Sequence, residues 1–391
     1  MDSPVTEISQ RSFTHQAQLE LALGQPFVMG NTIQDLQNGD EIFPAMLDAI
    51  RSATECIDFM TFVYWQGSIA REFATALSEQ ARAGLRVRVL LDAYGARIIE
   101  AELVSQMESA GVDLRWFRPL STWRIWRSDK RTHRKVLVCD QRVGYIGGVG
   151  IADEWRGKAR DASEWRDCHF EIQGAAVRGL RGAFLDNWNE AGDWSHDLAC
   201  TAHEPVDGQV PMQVVRASTT IGWTDIATLV RTLIQIAEHR LVVVTAYFSP
   251  DDKMVNMLCD AVKRGVDVDV LTAGHHTDSR LSQLSGQRHY TKLLEGGVTL
   301  RQYQRTMLHS KLILVDDEVC CLGSANMNHR SLSKDEECCV VALSADLNNT
   351  LSSEYEKDCA DSDTLSLTDW QARSWWQRQQ ERLAGLLVEQ L

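Results

Sequence analysis

The segment His133-Arg134-Lys135-Val136-Leu137-Val138-Cys139-Asp140 recurs as His309-Ser310-Lys311-Leu312-Ile313-Leu314-Val315-Asp316. Both copies read H-x-K, four apolar residues, then Asp, and each then reaches a small-residue turn, Gly147-Gly148 or Gly323-Ser324. The surroundings repeat as well. Helical spacing over 42–53, a strand over 57–64, a helix over 71–83 ending at Gly84, a strand over 85–92, a helix over 98–110 and a strand over 112–117 precede the first copy. A helix over 228–238, a strand over 241–248, a helix over 254–264 ending at Gly265, a strand over 266–272, a helix over 287–294 and a strand over 298–303 precede the second. Equivalent elements lie about 180 residues apart, which marks an internal duplication of a β-α-β-α-β unit and predicts an α/β fold.

The duplication sets the expected domains. Residues 1–25 read as a polar tail leading into a short helix. Residues 26–205 form the first unit, with its motif in 127–154, and residues 206–391 the second, with its motif in 303–330; Pro205 and Pro211 mark the boundary. After the first motif, 164–172 reads as a strand and 177–189 as a helix. The stretch 370–391 reads as an amphipathic helix with Trp375, Trp376, Leu383, Leu386 and Leu387 on its apolar side, more in keeping with docking on the protein's own core than with lying on a membrane.

The formal net charge is −14, which disfavours a nucleic-acid partner, because polyanions are held by excess Lys and Arg. Ten cysteines without a C-x-x-C pair, several in strand-like runs, point to free buried thiols rather than disulfides or zinc. The N-terminal stretch has no apolar signal-peptide core, and no apolar run is long enough to span a bilayer. The expectation is a soluble or peripheral protein.

One stretch inverts the charge. Residues 115–131 carry three Trp and six basic residues against one acid. Trp123, Arg124, Trp126 and Arg127 at its centre are the expected contact with anionic head groups, Trp at the interface and Arg on phosphate. An ordinary packed loop is the competing reading.

Positions i and i+2 of a strand share a face, so His133 and Lys135 should point the same way, as should His309 and Lys311, with the four apolar residues anchoring each strand. Imidazole serves as nucleophile or general acid near neutral pH, and Lys offers charge to phosphate oxygens. Asp140 and Asp316 complete the motif and are grouped with its catalytic residues. Their place at a strand end nevertheless suits backbone bonding better than proton transfer.

These residues resemble the phospholipase D superfamily, whose signature is H-x-K-x4-D followed by G-S/G-x-N. Gly323-Ser324-Ala325-Asn326 matches in full; Gly147-Gly148-Val149-Gly150 has Gly where Asn is usual. Within the superfamily the chain is most similar to bacterial cardiolipin synthases of a short type without N-terminal transmembrane helices. The likeness runs through 30–41, 133–155, 164–189, 290–316 and 323–337.

The resemblance implies two pseudo-symmetric α/β/α domains with the active site at their interface. It implies phosphatidyl transfer between two phosphatidylglycerol molecules through a phosphohistidine, with no metal or cofactor. It also implies anionic phospholipids as partners and a peripheral place on the cytoplasmic side of a bacterial membrane. Lys135, Lys311 and Asn326 would hold the non-bridging phosphate oxygens, and Ser324 is grouped with Asn326, Asp167 and Glu337 as substrate-binding or orienting. Asp167 and Glu337, roughly thirty residues after each His, would orient the imidazoles, with Asp335 and Glu336 as competitors of Glu337. His133 is favoured as nucleophile by family likeness alone. Hydrolysis to phosphatidic acid is the alternative; a nucleic-acid phosphodiesterase or a non-catalytic lipid binder fits less well.

Overall fold

A computed structural model describes residues 4–119, 130–193, 206–217 and 224–385, with side chains described from Thr14 onward. The strands are β1 (Val28–Gln37), β2 (Cys56–Thr61), β3 (Arg86–Asp92), β4 (Asp113–Phe117), β5 (Val136–Cys139), β6 (Val143–Gly147), β7 (Cys168–Gly174), β8 (Val210–Ala217), β9 (Arg240–Thr245), β10 (Phe248–Ser249), β11 (Asp267–Ala273), β12 (Thr299–Tyr303), β13 (Leu312–Val315), β14 (Val319–Gly323), β15 (Met327–Asn328), β16 (Glu337–Leu343) and β17 (Ser362–Thr364).

Fifteen of them form one sheet in the order β17-β12-β11-β9-β13-β14-β16-β8-β1-β7-β6-β5-β2-β3-β4. Read from the centre outward, each half runs through the same series. β2, β3 and β4 are parallel, as are β9, β11 and β12, and each parallel set joins an antiparallel set containing the motif strand. The halves meet where β1 pairs antiparallel with β8, within a continuous sheet. The large central sheet and its two matching halves agree with the expected α/β architecture.

Local chemistry explains the matching. The first helix of the parallel set in each half ends on a glycine at positive φ, Gly84 at 94° and Gly265 at 98°, where a Cβ would be strained. In the second half Thr224 and Asp251 cap helices Asp225–Ile236 and Asp252–Lys263 by accepting from Ala227 N and Met254 N. β2, β5 and β13 are buried along their whole length, as strands covered on both faces must be.

Several expectations change. The N-terminal segment is a helix, Pro4–Leu23, not a tail. Its described part lies on helix Asp225–Ile236, with Leu19 fully buried in the second half's core and His15 Nδ1 2.9 Å from Glu318 Oε1. Too few apolar residues hid this packing from periodicity. The stretch 287–294 is two helices, Arg280–Gln287 and Tyr290–Glu295. The C-terminal stretch is also broken, into Leu367–Gln371 and Trp375–Gly385; Trp370 and Ala384 are buried while Trp375 and Trp376 are exposed, and residues 386–391 lie outside the described residues. The break turns the two Trp away from the face that docks. All nine described cysteines are free, and eight are buried.

Candidate active site

Each H-x-K precedes its strand rather than lying on it. β5 begins at Val136 and β13 at Leu312, so His133–Lys135 and His309–Lys311 form extended lead-ins. What holds them is an exchange between halves. His133 N donates to Glu336 O at 2.9 Å, and Glu336 N to Arg131 O at 2.8 Å. The mirror pair is His309 N to Arg166 O at 2.7 Å and Arg166 N to Met307 O at 2.8 Å. Each motif segment is thus pinned against the start of the other half's strand, β16 or β7.

The side chains cross in the same way. His133 Nδ1 lies 3.1 and 3.2 Å from the two carboxylate oxygens of Glu337, and His309 Nδ1 lies 2.8 Å from Asp167 Oδ2. The resemblance implied that each carboxylate orients the histidine of its own half; the structure gives it to the other half. The rivals of Glu337 are engaged elsewhere, Asp335 with Arg330, and Glu336 with Arg118 and Arg134.

The two carboxylates are held differently. Asp167 Oδ1 accepts from Cys168 N and Oδ2 from Trp155 Nε1, both at 2.9 Å. A Cβ at Gly148 would come within 2.3 Å of Asp167, so glycine there makes room for the carboxylate. Glu337 instead accepts from two hydroxyls, Ser331 Oγ at 2.7 Å and Ser324 Oγ. Ser324 Oγ is thus engaged with a carboxylate, in keeping with an orienting place. A Cβ at Gly150 would meet Val63 Cβ at 2.6 Å, so the first half has no room for a counterpart of Asn326 without shifting that residue. Asn326 is buried, with its Oδ1 3.4 Å from Thr245 Oγ1.

Ionisable groups of both halves share this buried volume. Burial pushes the Lys135 ammonium down to about 7, helped by the charge of Lys311, against Glu337 and Asp167. Burial likewise lowers Lys311 to about 8, opposed by Asp167 and Glu337. Burial would raise the Glu337 carboxyl, but His133, Lys135 and Ser324 outweigh it and hold it at about 2. Asp167 is held below the usual carboxylate range: burial is outweighed by His309, Lys311 and Trp155. His309 falls to about 3, through burial and then Lys311, against the pull of Asp167. A charged His309 supporting Asp167 and a neutral His309 do not agree. The neutral imidazole beside an ionised Asp167 is the consistent state, because burial disfavours a second cation beside Lys311.

The rings differ in setting. Phe62 lies edge-on to His133, centroids 5.3 Å apart. His309 is walled by Trp155 at 5.2 Å and Trp165 at 5.4 Å, with Tyr247 at 6.3 Å. The side chain of His133 is 13 % exposed against 6 % for His309. Lys135 Nζ donates to His133 O at 2.9 Å, and Lys311 Nζ lies 2.9 Å from His309 Nδ1.

Asp140 and Asp316 stand at the far ends of the motif strands, where their carboxylates bond backbone amides. Asp140 adopts φ 52° and accepts from Thr54 N, Glu55 N and Cys56 N at 2.8–2.9 Å. Asp316 adopts φ 50° and accepts from Glu238 N, His239 N and Arg240 N. Asp tolerates this left-handed turn, and its carboxylate gathers the amides that open β2 or β9. This geometry agrees with the backbone bonding that their strand-end place suggested, although the motif groups them with the catalytic residues.

Trp123, Arg124, Trp126 and Arg127 lie outside the described residues. Three of the four basic residues flanking them are tied into the protein: Arg115 over the Trp188 ring at 4.0 Å, Arg118 on Glu190 and Glu336, Arg131 on Asp92.

Known proteins share both the motifs and the fold. The family model described as "Cardiolipin synthase, PLD-like domain" matches residues 46–154 and 230–359, taking in both H-x-K motifs and Asn326. The chain belongs to this family. A cardiolipin synthase of Geobacillus thermodenitrificans is 30% identical over 383 residues, covering 97% of this chain and 76% of that one. Cardiolipin synthase 1 of Bacillus cereus is 28% identical over 361 residues, covering 90% and 71%. The crystal structure of phosphatidylserine synthase from Haemophilus influenzae superposes with a TM-score of 0.72, covering 97% of this chain and 100% of that one at 13% identity, a likeness of fold.

Sequence reading missed Trp155, Ser331, Trp165 and Phe62. One signal was available. Ser324 stands where the first half has Gly148, so the two carboxylates had to be held by different donors.

Proposed function

We propose that the protein is a phosphatidyltransferase of the cardiolipin synthase type, acting through a phosphohistidine. The observation that carries this is the pair of crossed dyads, His133–Glu337 and His309–Asp167, converging with Lys135 and Lys311 where the halves meet. One imidazole attacks the phosphorus of a phosphatidylglycerol through Nε2. The bond from phosphorus to the glycerol head-group oxygen breaks, and the other imidazole gives that oxygen its proton. The second imidazole then takes the proton from the hydroxyl of another phosphatidylglycerol, whose oxygen displaces the histidine, giving cardiolipin and free enzyme. Splitting one displacement into two is the gain of covalent catalysis.

Each carboxylate fixes its partner's Nδ1–H, which leaves Nε2 for the chemistry, and steadies the ring when it is charged. Lys135, Lys311 and Asn326 stabilise the non-bridging oxygens. The substrates are membrane lipids, and no described helix is long and apolar enough to cross a membrane. Peripheral action at the cytoplasmic face of a bacterial membrane follows as part of the same proposal.

The test is incubation with phosphatidylglycerol vesicles followed by lipid mass analysis. Cardiolipin with free glycerol is the expected product, lost in His133→Ala and in His309→Ala while both variants remain folded. Phosphatidic acid as sole product would replace transfer by hydrolysis, and transfer surviving in either variant would refute the dyads.

A further inference from the structure

Seven large apolar side chains are exposed among the described residues, and five fall into two groups tied to the catalytic histidines. The first group is Tyr94 and Ile98, 48 % and 45 % exposed, in the loop that leaves β3. Asp92 anchors that loop by accepting from Tyr94 N and Gly95 N, and it also accepts from Thr132 N, the amide next to His133. The second group is Leu281, 40 % exposed, with Trp375 and Trp376, 60 % and 72 % exposed. Leu281 opens the helix reached by the equivalent loop after β11. That loop is anchored by Asp278, which accepts from the hydroxyl of Tyr247, whose ring neighbours His309. Helix Trp375–Gly385 packs on the Leu281 helix.

Charge accompanies both groups. Arg97 stacks on the Tyr94 ring at 4.7 Å, and Arg280 bonds the side chain of Gln283; neither has a carboxylate partner among the described residues. Of the acids in the same loops, Glu100 is paired with Arg71, while Asp278 accepts from the Tyr247 hydroxyl and keeps its charge. On a chain of net charge −14, two arginines without carboxylate partners beside exposed aromatic rings make a local fit for an anionic, partly apolar surface.

We propose that these two groups form one docking surface for an anionic phospholipid bilayer, with Tyr94 and Ile98 seated beside His133 and Leu281, Trp375 and Trp376 beside His309. The proposal rests on the reading of the site as one that acts on phospholipids. A bilayer met on both sides of the catalytic pair would deliver head groups to it without lifting the acyl chains far from the membrane. The aromatic bodies would enter the head-group layer, and Arg97 and Arg280 would meet lipid phosphates.

The experiment measures partition of the full chain onto phosphatidylglycerol and phosphatidylcholine vesicles, for wild type, Tyr94→Ser/Ile98→Ser and Trp375→Ser/Trp376→Ser. Each double variant should lose on the order of ten-fold in partition to phosphatidylglycerol, because one or two apolar side chains no longer leave water. Turnover of a short-chain phosphatidylglycerol dissolved below its micellar concentration should stay within about two-fold of wild type, a window of roughly 0.4 kcal/mol. On the unmodified protein, vesicles should slow hydrogen exchange in 93–99 and 375–381. Unchanged partition in both double variants, or equal binding to the two lipids, would overturn the proposal. Weakened partition with no turnover of the dissolved lipid even in wild type would uphold the surface and reject the phosphatidyltransferase reading.

Discussion

Replacing each orienting carboxylate by its amide should have unequal consequences, because the donors around the two differ in freedom. Asp167 faces only N–H donors fixed in direction: Cys168 N, Trp155 Nε1 and His309 Nδ1. In Asp167→Asn the new NH2 must point at one of them, leaving a buried donor without an acceptor, at a cost of about 1–3 kcal/mol. Glu337 faces two hydroxyls, of Ser324 and Ser331, besides His133. In Glu337→Gln a hydroxyl can turn to accept from the NH2, and the cost should stay under about 1 kcal/mol.

Catalysis should suffer in both variants. A charge-assisted hydrogen bond to the imidazole becomes a neutral one, a loss of roughly 1–1.5 kcal/mol and so about ten-fold in kcat. Where the amide of Asp167→Asn turns its NH2 toward His309, the ring is forced into the other tautomer and the loss rises toward about 10⁴-fold. Denaturant unfolding with a lipid transfer assay separates the two effects. Asp167→Asn should be both the less stable and the less active variant. Equal stability of Asp167→Asn and wild type would refute the rigid-donor argument, and activity of either variant within about two-fold of wild type would refute the crossed orientation itself.

Two further outcomes concern the motif Asp and the buried imidazoles. Asp140→Ala frees the amides of Thr54, Glu55 and Cys56 at a partly solvated turn and should cost about 2–4 kcal/mol by chemical denaturation, while transfer per folded molecule stays near wild type; a selective loss of kcat would restore Asp140 to the chemistry. His169 is buried with both ring nitrogens unpaired and, chiefly through burial, held at about 4, and His309 at about 3. Both folded values lie below the ordinary value of about 6.5, so the stability these neutral rings contribute is complete above about pH 6.5 and erodes as acid protonates the unfolded chain first. The unfolding free energy should fall between about pH 6 and 4 with a slope of at most about 2.7 kcal/mol per pH unit, two protons' worth, and His169→Leu should halve that slope. A pH-independent stability across this window would contradict the burial of both rings.

Much of this molecule could be read from its residues. The duplicated order was legible because helices and strands here follow apolar periodicity, with glycines at matched helix ends. His133, Lys135, His309 and Lys311 were legible because the motif occurs twice in one setting. Three things were not. The crossing of the dyads is a contact between residues 204 and 142 positions apart, and spacing along the chain carries no record of it. The strand-end place of the motif Asp already pointed to backbone bonding, but the left-handed turn it adopts is revealed only by backbone angles. The N-terminal helix docks through few apolar residues, Leu19 among them, and through His15 between acids, so its polar composition concealed it.

The exchange of motif segments between halves has a consequence for the life of the chain. During synthesis the first half emerges carrying His133, but both the backbone that pins its segment and the carboxylate that aims its imidazole, at Glu336 and Glu337, lie far downstream. Until the second half has folded against the first, neither histidine has its orienting partner. A half-made chain is therefore a poor catalyst, and the enzyme cannot begin cutting lipid phosphodiesters before it is whole.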